Sequence, residues 1–237
     1  METIPAPDIK RRRVFGRRLT RSLSPSLQNL HQTMLDKLQV PKEKVAHGNL
    51  GVGDLFDKPF DQFWFEIGFG NGVHLHDECL AHPDTAFIGA EPYINGMATF
   101  LKSMEGENHD NIRVWMDDAI ALIDSLGDGV LDGIYILNPD PWPKKRHWKR
   151  RIVSTENVAR FVRVLKPGGQ LIMTTDIDDL AEWMAAHAVN NPALEWTAES
   201  PADWKNPPPG WNPTKYEKKG AAKGRQQSYL VFRKKSA

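Results

Sequence analysis

The sequence predicts an α/β fold: a doubly wound, mostly parallel seven-stranded sheet with helices on both faces. From residue 61 onward, short apolar runs alternate with stretches long enough for helices, which is typical of βαβ units. The chain of 237 residues, 40% of them hydrophobic, is long enough for one large α/β domain with a packed core. Two further apolar runs late in the chain indicate strands that join the sheet antiparallel.

The N-terminal part is predicted to differ from the rest. Residues 1–23 are basic, rich in proline and without an apolar period, so we expect a flexible arm. Residues 24–237 are predicted to form a single domain that begins with a helical extension. Ser24 at the N-cap and Pro25 at the first helical position start that helix. Its apolar residues, three or four positions apart, are Leu27, Leu30, Met34, Leu35 and Leu38. We expect Pro41 to end the helix and a glycine-rich loop to follow.

The remaining elements follow in a regular order. The predicted strands are Phe63–Ile67, Ala86–Ala90, Ile112–Trp115, Ile134–Leu137, Leu171–Thr174, Leu194–Ala198 and Ser228–Arg233. The predicted helices are 72–82, 93–105, 118–126, 153–165 and 179–190. Since parallel strands end at the same edge of a sheet, residues that follow strands one to five should lie close together.

Charge is strongly segregated along the chain. The stretches 10–21, 144–151 and 214–235 carry 21 of the 31 Lys and Arg residues but 1 of the 30 acidic ones. The remainder is correspondingly acidic, although the net charge is only +1. Basic residues concentrated in this way indicate a polyanionic partner such as a nucleic acid. The alternative is three solvated segments that keep the protein soluble.

Several protein classes are disfavoured by composition. No stretch approaches the roughly 20 apolar residues needed to cross a bilayer, and no apolar segment of a secretory signal follows the N-terminal basic residues. The single cysteine, Cys79, excludes an internal disulfide and a cysteine-based zinc site. We expect a cytoplasmic protein without membrane contact and without a metal. His74 and His76 are interpreted as structural. Monomer and homodimer are both compatible with the sequence.

A glycine-rich turn follows the first predicted strand. The strand ends at Glu66-Ile67 and continues into Gly68, Gly70 and Gly72, whose backbone can approach a ligand closely. The GxGxxG pattern of dehydrogenases would need glycine at position 73, where Val73 stands. Glu91 ends the second strand, where a carboxylate can accept hydrogen bonds from both hydroxyls of a ribose.

An acidic residue also follows the third predicted strand. Asp118, next to Ala119, is placed to accept a hydrogen bond from an adenine amino group, although it can equally be a helix N-cap. This order of glycine turn, strand-end acid and later aspartate is typical of S-adenosylmethionine-dependent methyltransferases. Glu66, directly before the turn, suits a carboxylate that faces the donor's methionine amino group or sulfonium. We therefore assign these residues to donor binding.

The fourth strand ends in the segment Asn-Pro-Asp-Pro-Trp-Pro, residues 138–143, whose prolines hold Asp140 in a stiff loop. The run PDPWPKKRHWKRR, residues 139–151, resembles the motif of the bacterial tRNA (guanine-N7-)-methyltransferases, which belong to the Rossmann-like class I methyltransferases. Further matches are Gly16–Arg18, Thr175-Asp176 and Thr214–Glu217. The resemblance covers roughly residues 15 to 233.

The resemblance implies the methyl donor S-adenosylmethionine, a tRNA partner and specific site residues. Glu66, Glu91, Asp118 and Asp140 match positions that contact the donor or lie in the reaction centre. The implied substrate-binding positions are Lys144, Arg146, Lys149, Arg150, Arg151, Asp176, Thr214, Lys215, Tyr216 and Glu217. The implied reaction is methyl transfer to N7 of a guanine in the tRNA variable loop.

The chemistry of guanine limits what Asp140 has to do. N7 of neutral guanine carries a free lone pair, so no base has to remove a proton before attack. Alignment of the reactants and stabilisation of the cationic product ring are then the main requirements. We therefore assign Asp140, the catalytic residue, to base recognition and charge stabilisation, with Asp176 as a partner in holding the base.

Two other functions remain open at this point. The family more often has an aromatic residue at the position of Asn138, and Asn138-Pro139 resembles the loop of amino-group methyltransferases that act on other nucleobases or proteins. A non-catalytic RNA-binding protein on the same scaffold is the second alternative. The intact glycine turn, Glu91 and Asp140 argue against it, because a degenerate scaffold has no need of them.

Overall fold

The computed structural model describes residues 19, 20 and 22–236, apart from the side chain of Lys215. The predicted basic arm, residues 1–23, therefore lies largely outside the described residues, and so does the Gly16–Arg18 match. Within the described part, no helix is long and apolar enough to cross a membrane.

The structure contains ten α-helices and seven strands within the described residues. The helices are α1 (Pro25–Leu38), α2 (Lys42–His47), α3 (Val52–Leu55), α4 (Val73–Ala81), α5 (Ile94–Ser103), α6 (Ala119–Ser125), α7 (Thr155–Val164), α8 (Asp178–Val189), α9 (Pro201–Lys205) and α10 (Lys215–Ala221). The strands are β1 (Gln62–Ile67), β2 (Thr85–Ala90), β3 (Ile112–Trp115), β4 (Leu131–Leu137), β5 (Leu165–Thr175), β6 (Leu194–Trp196) and β7 (Ser228–Lys234). A 3-10 helix, Lys145–Arg150, follows β4.

The strands form one seven-stranded sheet in the order β3-β2-β1-β4-β5-β7-β6. Strands β1 to β5 run parallel, and β7 is antiparallel to both β5 and β6. The predicted doubly wound, mostly parallel fold is confirmed. The strand order reverses between β1 and β4, and ligands of such sheets bind outside the carboxyl ends of the strands at this switch.

Helices cover both faces of the sheet because the central strands are apolar on both sides. One apolar cluster joins the sheet to α6, α7 and α8, and a second joins it to α1, α4 and α5. The Ser24 hydroxyl caps α1 by accepting from the Leu27 amide, as the sequence predicts. Helix α1 then packs against α5 and β3, so the N-terminal extension is part of the fold.

Several boundaries differ from the prediction. The loop expected after Pro41 contains the short helices α2 and α3, which are too short to show a helical period. Strand β4 begins at Leu131, three residues earlier than predicted. Strand β5 begins at Leu165, six residues earlier than predicted, because Leu165 already pairs with Leu131 and the ladder resumes at Gln170 after an irregularity. Helices α9 and α10 and the 3-10 helix were not predicted.

Candidate active site at the carboxyl edge of the sheet

A cavity of about 1030 Å³ opens at the carboxyl edge of the sheet. Its wall contains the glycine turn after β1, Glu91 after β2, residues 117–119 after β3 and residues 138–142 after β4. Thr214 and Tyr216 close it from the C-terminal side, and Thr20 from the N-terminal side. Most residues predicted to bind the donor are therefore brought together as the parallel topology requires.

The glycine turn has an open part and a packed part. Gly68 and Gly70 line the cavity with φ of 73° and 61°, a region that disfavours residues with a Cβ. Gly72 does not line it: a Cβ there would lie 2.3 Å from the Phe100 ring. Gly72 therefore lets α4 pack against α5, and its assignment to cofactor binding stays a prediction. Gly96 in α5 was missed, although its Cβ would lie 2.3 Å from the Gly70 carbonyl oxygen.

The carboxylate of Glu91 fastens the glycine turn to the end of β2. Its Oε2 accepts from the Gly70 amide at 2.7 Å and its Oε1 from the Tyr93 amide at 2.8 Å. Burial raises the pKa of Glu91 to about 7. The two amide hydrogen bonds oppose this shift, and the carboxylates of Asp140 and Glu66 add to it. Each oxygen retains a lone pair for a further donor. Glu91 thus shapes the turn and also faces the cavity.

Asp118 caps the helix that follows β3. Its Oδ1 accepts from the Ile120 amide at 3.0 Å, so the N-cap interpretation is the one that the structure supports for this oxygen. Asp118 and the buried Ala119 both line the cavity. The side chain thus fixes the start of α6 at the cavity wall, and the proposed adenine contact would need its other oxygen.

The Glu66 carboxylate is buried and paired with a histidine. Its Oε2 lies 2.8 Å from Nδ1 of His74, and both side chains are less than 5% exposed. Burial lowers the pKa of His74, but the carboxylates of Glu66, Glu78 and Asp77 outweigh this, and the net shift is upward. His74 was interpreted as structural from the sequence, yet it lines the cavity. The glycine turn brings the start of α4 back to the end of β1, and this contact between Glu66 and His74 is recognisable only in the folded structure.

Asp140 also lines the cavity. Its carboxylate makes no hydrogen bond or ion pair with the residues that the structure describes, and partial burial raises its pKa. The loop around it is held in an unusual shape, because Asn138 has φ of 48° and Trp142 has φ of 43°. Such a conformation is strained for a bulky residue and persists where neighbours impose it.

The amide of Asn138 is occupied by protein contacts. Its Nδ2 donates to Oγ1 of Thr214 at 3.2 Å, and its Oδ1 accepts from Nε2 of Gln227 at 3.0 Å. These bonds tie the loop after β4 to the segments before α10 and β7. The same amide would have to accept from a target amino group in the amino-group methyltransferase alternative, so the geometry disfavours that function.

The 3-10 helix presents the predicted basic surface. Lys144, Lys145, Arg146 and Lys149 are exposed. Arg150 stacks over the Trp142 ring at 4.9 Å, and both line the cavity together with Lys149. Lys144 and Arg146 do not line it, so they extend the basic surface outward from its mouth.

Arg151 departs from its predicted role. Its side chain is 1% exposed and lies between the rings of Trp148 and Trp183, at 4.8 and 4.9 Å. Its guanidinium donates to the Pro141 carbonyl at 2.9 Å and pairs with Asp179. Arg151 also lines the cavity, but its guanidinium anchors the end of the basic segment to α8, and its assignment to RNA binding stays a prediction.

The Thr214–Glu217 segment is mostly a helix start. Thr214 and Glu217 form a capping box: Thr214 Oγ1 accepts from the Glu217 amide at 3.1 Å, and Glu217 Oε2 accepts from the Thr214 amide at 3.3 Å. Glu217 also accepts from Trp211 and from the Tyr229 hydroxyl. The buried carboxylate of Glu217 thus has three partners within the protein, and its predicted substrate role stays a prediction. Tyr216, in contrast, is 59% exposed at the cavity. The side chain of Lys215 lies outside the described residues.

Asp176 is likewise placed elsewhere. Its carboxylate pairs with Arg225 at 2.9 Å and packs against Gly220 of α10, and it does not line the cavity. These contacts link Asp176, at the end of β5, to α10 and Arg225, and the expectation that it helps to hold the base stays a prediction.

The N-terminal segment adds one unpredicted contact. Thr20 Oγ1 lies 2.6 Å from the Tyr93 hydroxyl, and its amide donates to Asn95 Oδ1 at 3.0 Å. These contacts place the start of the described chain at the cavity. Within the described residues, no group of three or more His, Cys, Asp or Glu side chains could hold a metal ion.

The sheet order, the glycine turn after β1 and the acids after β2 and β3 define a class I methyltransferase. Residues 61–230 match the model of a family described as "Putative methyltransferase". A solved structure described as a putative methyltransferase from Thermoplasma acidophilum has the same fold, with a TM-score of 0.50 at 15% identity over 76% of this chain and 70% of that one.

The relatives are more specific. A protein of Brucella anthropi named tRNA (guanine-N(7)-)-methyltransferase is 44% identical over 92% of this chain and 93% of its own length. One of the same name from Agrobacterium fabrum is 43% identical, with the same shares of both chains covered. The chain belongs to the tRNA (guanine-N(7)-)-methyltransferase family, as its Pro-Asp-Pro-Trp motif predicts.

Proposed function

We propose that the protein transfers a methyl group from S-adenosylmethionine to N7 of a guanine in the variable loop of tRNA. One observation carries the proposal: the Asp140 carboxylate, which pairs with no group among the described residues, shares a cavity with the Glu66 and Glu91 carboxylates. The cavity thus combines a wall suited to a nucleoside-based donor with a free acceptor group for a base. Membership in the family supplies guanine and tRNA as the substrate.

The residues on the donor side fit S-adenosylmethionine. The open turn at Gly68 and Gly70 leaves room for a ligand close to the backbone, and Glu91 has lone pairs for ribose hydroxyls. Asp118 and Ala119 are the proposed contacts of the donor's adenine, and the Glu66 carboxylate suits the α-amino group of its methionine part. Bound S-adenosylmethionine supplies an electrophilic methyl group on a sulfonium. These side chains fix the position of that group and exclude water around it.

The substrate side needs no general base. Because guanine N7 has a free lone pair, methyl transfer leaves a cationic ring and no proton to remove. Asp140 accepts hydrogen bonds from the donors on the Watson–Crick edge of guanine and offsets the new positive charge. The upward pKa shift of the free carboxylate shows that its surroundings already disfavour an uncompensated negative charge. A cationic ring supplies the compensation.

The basic 3-10 helix is proposed to hold RNA phosphates. Its exposed cations continue directly from the loop that carries Asp140, so phosphates bound there lie next to the reaction centre. Lys144, Arg146, Lys149 and Arg150 are the proposed contacts. Arg151 also lines the cavity, but its side chain is 1% exposed and anchors the segment to α8. The exposed ring of Tyr216 offers a surface on which a base can stack.

The reaction is tested by incubating the purified protein with unmodified tRNA and methyl-labelled donor, followed by nucleoside analysis and mapping of the labelled position. We expect 7-methylguanosine in the variable loop. Label in 6-methyladenosine would support the amino-group alternative, and the absence of any methylated base would support a non-catalytic RNA-binding protein. Label in 7-methylguanosine outside the variable loop would contradict the position alone.

A further inference from the structure

A buried acid–histidine–acid array lies beneath the donor side of the cavity. His74, in the first turn of α4, has Nδ1 2.8 Å from Oε2 of Glu66 and Nε2 4.0 Å from Oε1 of Glu78. The Glu66 and His74 side chains are 4% and 3% exposed, and Glu78 is 12% exposed. None of the reaction steps described above uses this histidine.

The charges around His74 favour its protonated form. Glu66 faces it from β1, and Glu78 and Asp77 lie on its own helix, while the rings of Tyr135 and Trp211 cover it from β4 and from the segment before α10. Burial raises the pKa of Tyr135 well above its usual range, so that ring stays neutral. An imidazolium in this position is a charged hydrogen-bond partner of the buried Glu66 carboxylate.

The hydrogen bond also determines which way Glu66 points. With Oε2 held by the imidazole, the second oxygen remains for a partner in the cavity, which both residues line. An α-ammonium group is a cation that suits a buried, oriented carboxylate. The contact of His74 in this direction is its hydrogen bond to Glu66, so we expect it to act on the donor through this carboxylate.

The same histidine supports the substrate side. The Trp211 ring lies 5.4 Å from the imidazole, and its Nε1 donates to Glu217 of the α10 capping box at 3.0 Å. That capping box positions Thr214 and Tyr216 at the cavity. The array therefore connects the donor carboxylate to the segment that closes the site.

We propose that His74 is a positioning residue for the methyl donor. Its hydrogen bond holds the Glu66 carboxylate for the α-amino group, and its ring packs against Trp211, which supports the side of the cavity formed by Thr214 and Tyr216. The proposal rests on the donor assignment of Glu66 made above. It extends that assignment to a residue that the family motif does not include.

The test compares two ligands by calorimetry. S-adenosylmethionine carries the α-amino group, and 5′-methylthioadenosine has the ribose and adenine but lacks the amino acid. His74→Gln keeps a hydrogen-bonding side chain but removes the charge. It should weaken binding of S-adenosylmethionine about tenfold or more and that of 5′-methylthioadenosine by less than about twofold. His76→Gln is the matched control, because His76 is two residues away and contacts Asp77 outside the cavity.

Three outcomes would overturn the proposal. His74→Gln can bind S-adenosylmethionine as tightly as the unchanged protein, or it can lose both ligands equally. His74→Asn is a second variant in case His74→Gln does not fold, and failure of both to fold would make His74 a determinant of the fold instead. Formation of 7-methylguanosine by the unchanged protein is measured separately, so a failure of the proposed function remains distinguishable from a failure of this inference.

Discussion

Glu91 is expected to make binding of the donor's nucleoside part depend on pH. Its pKa of about 7 lies well above the ordinary 4.5, and the ribose hydroxyls bind best to the ionised carboxylate. Below the pKa the ionised fraction falls about tenfold per pH unit, so affinity at pH 6 should be about tenfold weaker than at pH 8. Replacement by Gln, which does not titrate, should remove this dependence.

The same shift predicts a change in stability. The folded-state pKa is raised, so the folded protein binds more protons than the unfolded chain between pH 4.5 and about 7. The free energy of unfolding should therefore fall as pH rises through that window, and the contribution of Glu91 to this fall is about 3 kcal/mol. The difference in unfolding free energy between the unchanged protein and Glu91→Gln should show this trend.

Calorimetric titration with 5′-methylthioadenosine at several pH values measures the binding effect, because this ligand carries the ribose without the titrating amino group. Denaturant unfolding over the same pH range measures the effect on stability. Glu105→Gln, at an exposed carboxylate, serves as the control for a general change of charge. Two results would refute the reasoning. The unchanged protein could bind 5′-methylthioadenosine equally well at pH 6 and pH 8, or Glu91→Gln could retain the pH dependence of this binding.

Four further predictions concern single substitutions. Asp140→Ala should lower the methyl-transfer rate about 100-fold or more and change the donor Kd by less than about threefold; a near-normal rate with labelled donor would contradict its role. Lys149→Ala should leave the melting temperature unchanged and reduce the log–log salt slope of tRNA binding by about one. Arg151→Ala should instead lower the unfolding free energy by about 2 to 4 kcal/mol. A loss of stability in Lys149→Ala, or unchanged stability with a reduced salt slope in Arg151→Ala, would contradict the distinction between the exposed and the buried cation. Gly96→Ala should weaken donor binding about tenfold, because its Cβ would meet a backbone oxygen of the glycine turn at 2.3 Å. Gly53→Ala, where a Cβ meets nothing within 4 Å, is the matched control, and equal donor affinities in the two variants would show that the turn tolerates the change.

The fold was largely predictable from the sequence because its central strands are buried on both faces. Such strands are continuous apolar runs, and glycine, proline or acidic residues mark their ends. Strand β3 was predicted with its observed bounds, Ile112–Trp115. The start of β5 was missed because Pro167-Gly168-Gly169 normally signals a turn, and here it forms an irregularity within a paired strand.

The site was predictable where a residue follows a strand. Glu66, Glu91 and Asp140 reach one cavity because parallel strands end at one edge. The contacts that the sequence did not predict are made with residues from other parts of the chain. Nothing in the basic run distinguishes Arg151 from Arg150, since the two tryptophans around Arg151 are recognisable as its neighbours only in three dimensions.

One missed element did have a local signal. Thr214 and Glu217 are spaced as a capping box, a pattern that predicts a helix start and assigns both side chains to the backbone. Resemblance to a substrate-binding motif directed attention to contacts with RNA instead. Tyr216, between the two capping residues, is the member of the set whose exposure suits a ligand.

The place of β7 in the sheet has a consequence for folding. Strand β6 joins the sheet through β7, which is formed by residues more than thirty positions later in the sequence. During folding, β6 therefore pairs only after β7 has reached the sheet. Pairing between segments so far apart in the sequence is slow, because a long loop must close first. The hydrogen bond from Tyr229 to Glu217 links the same event to the capping box of α10. The insertion of β7 thus completes the sheet, and the same step brings Thr214 and Tyr216 to the cavity.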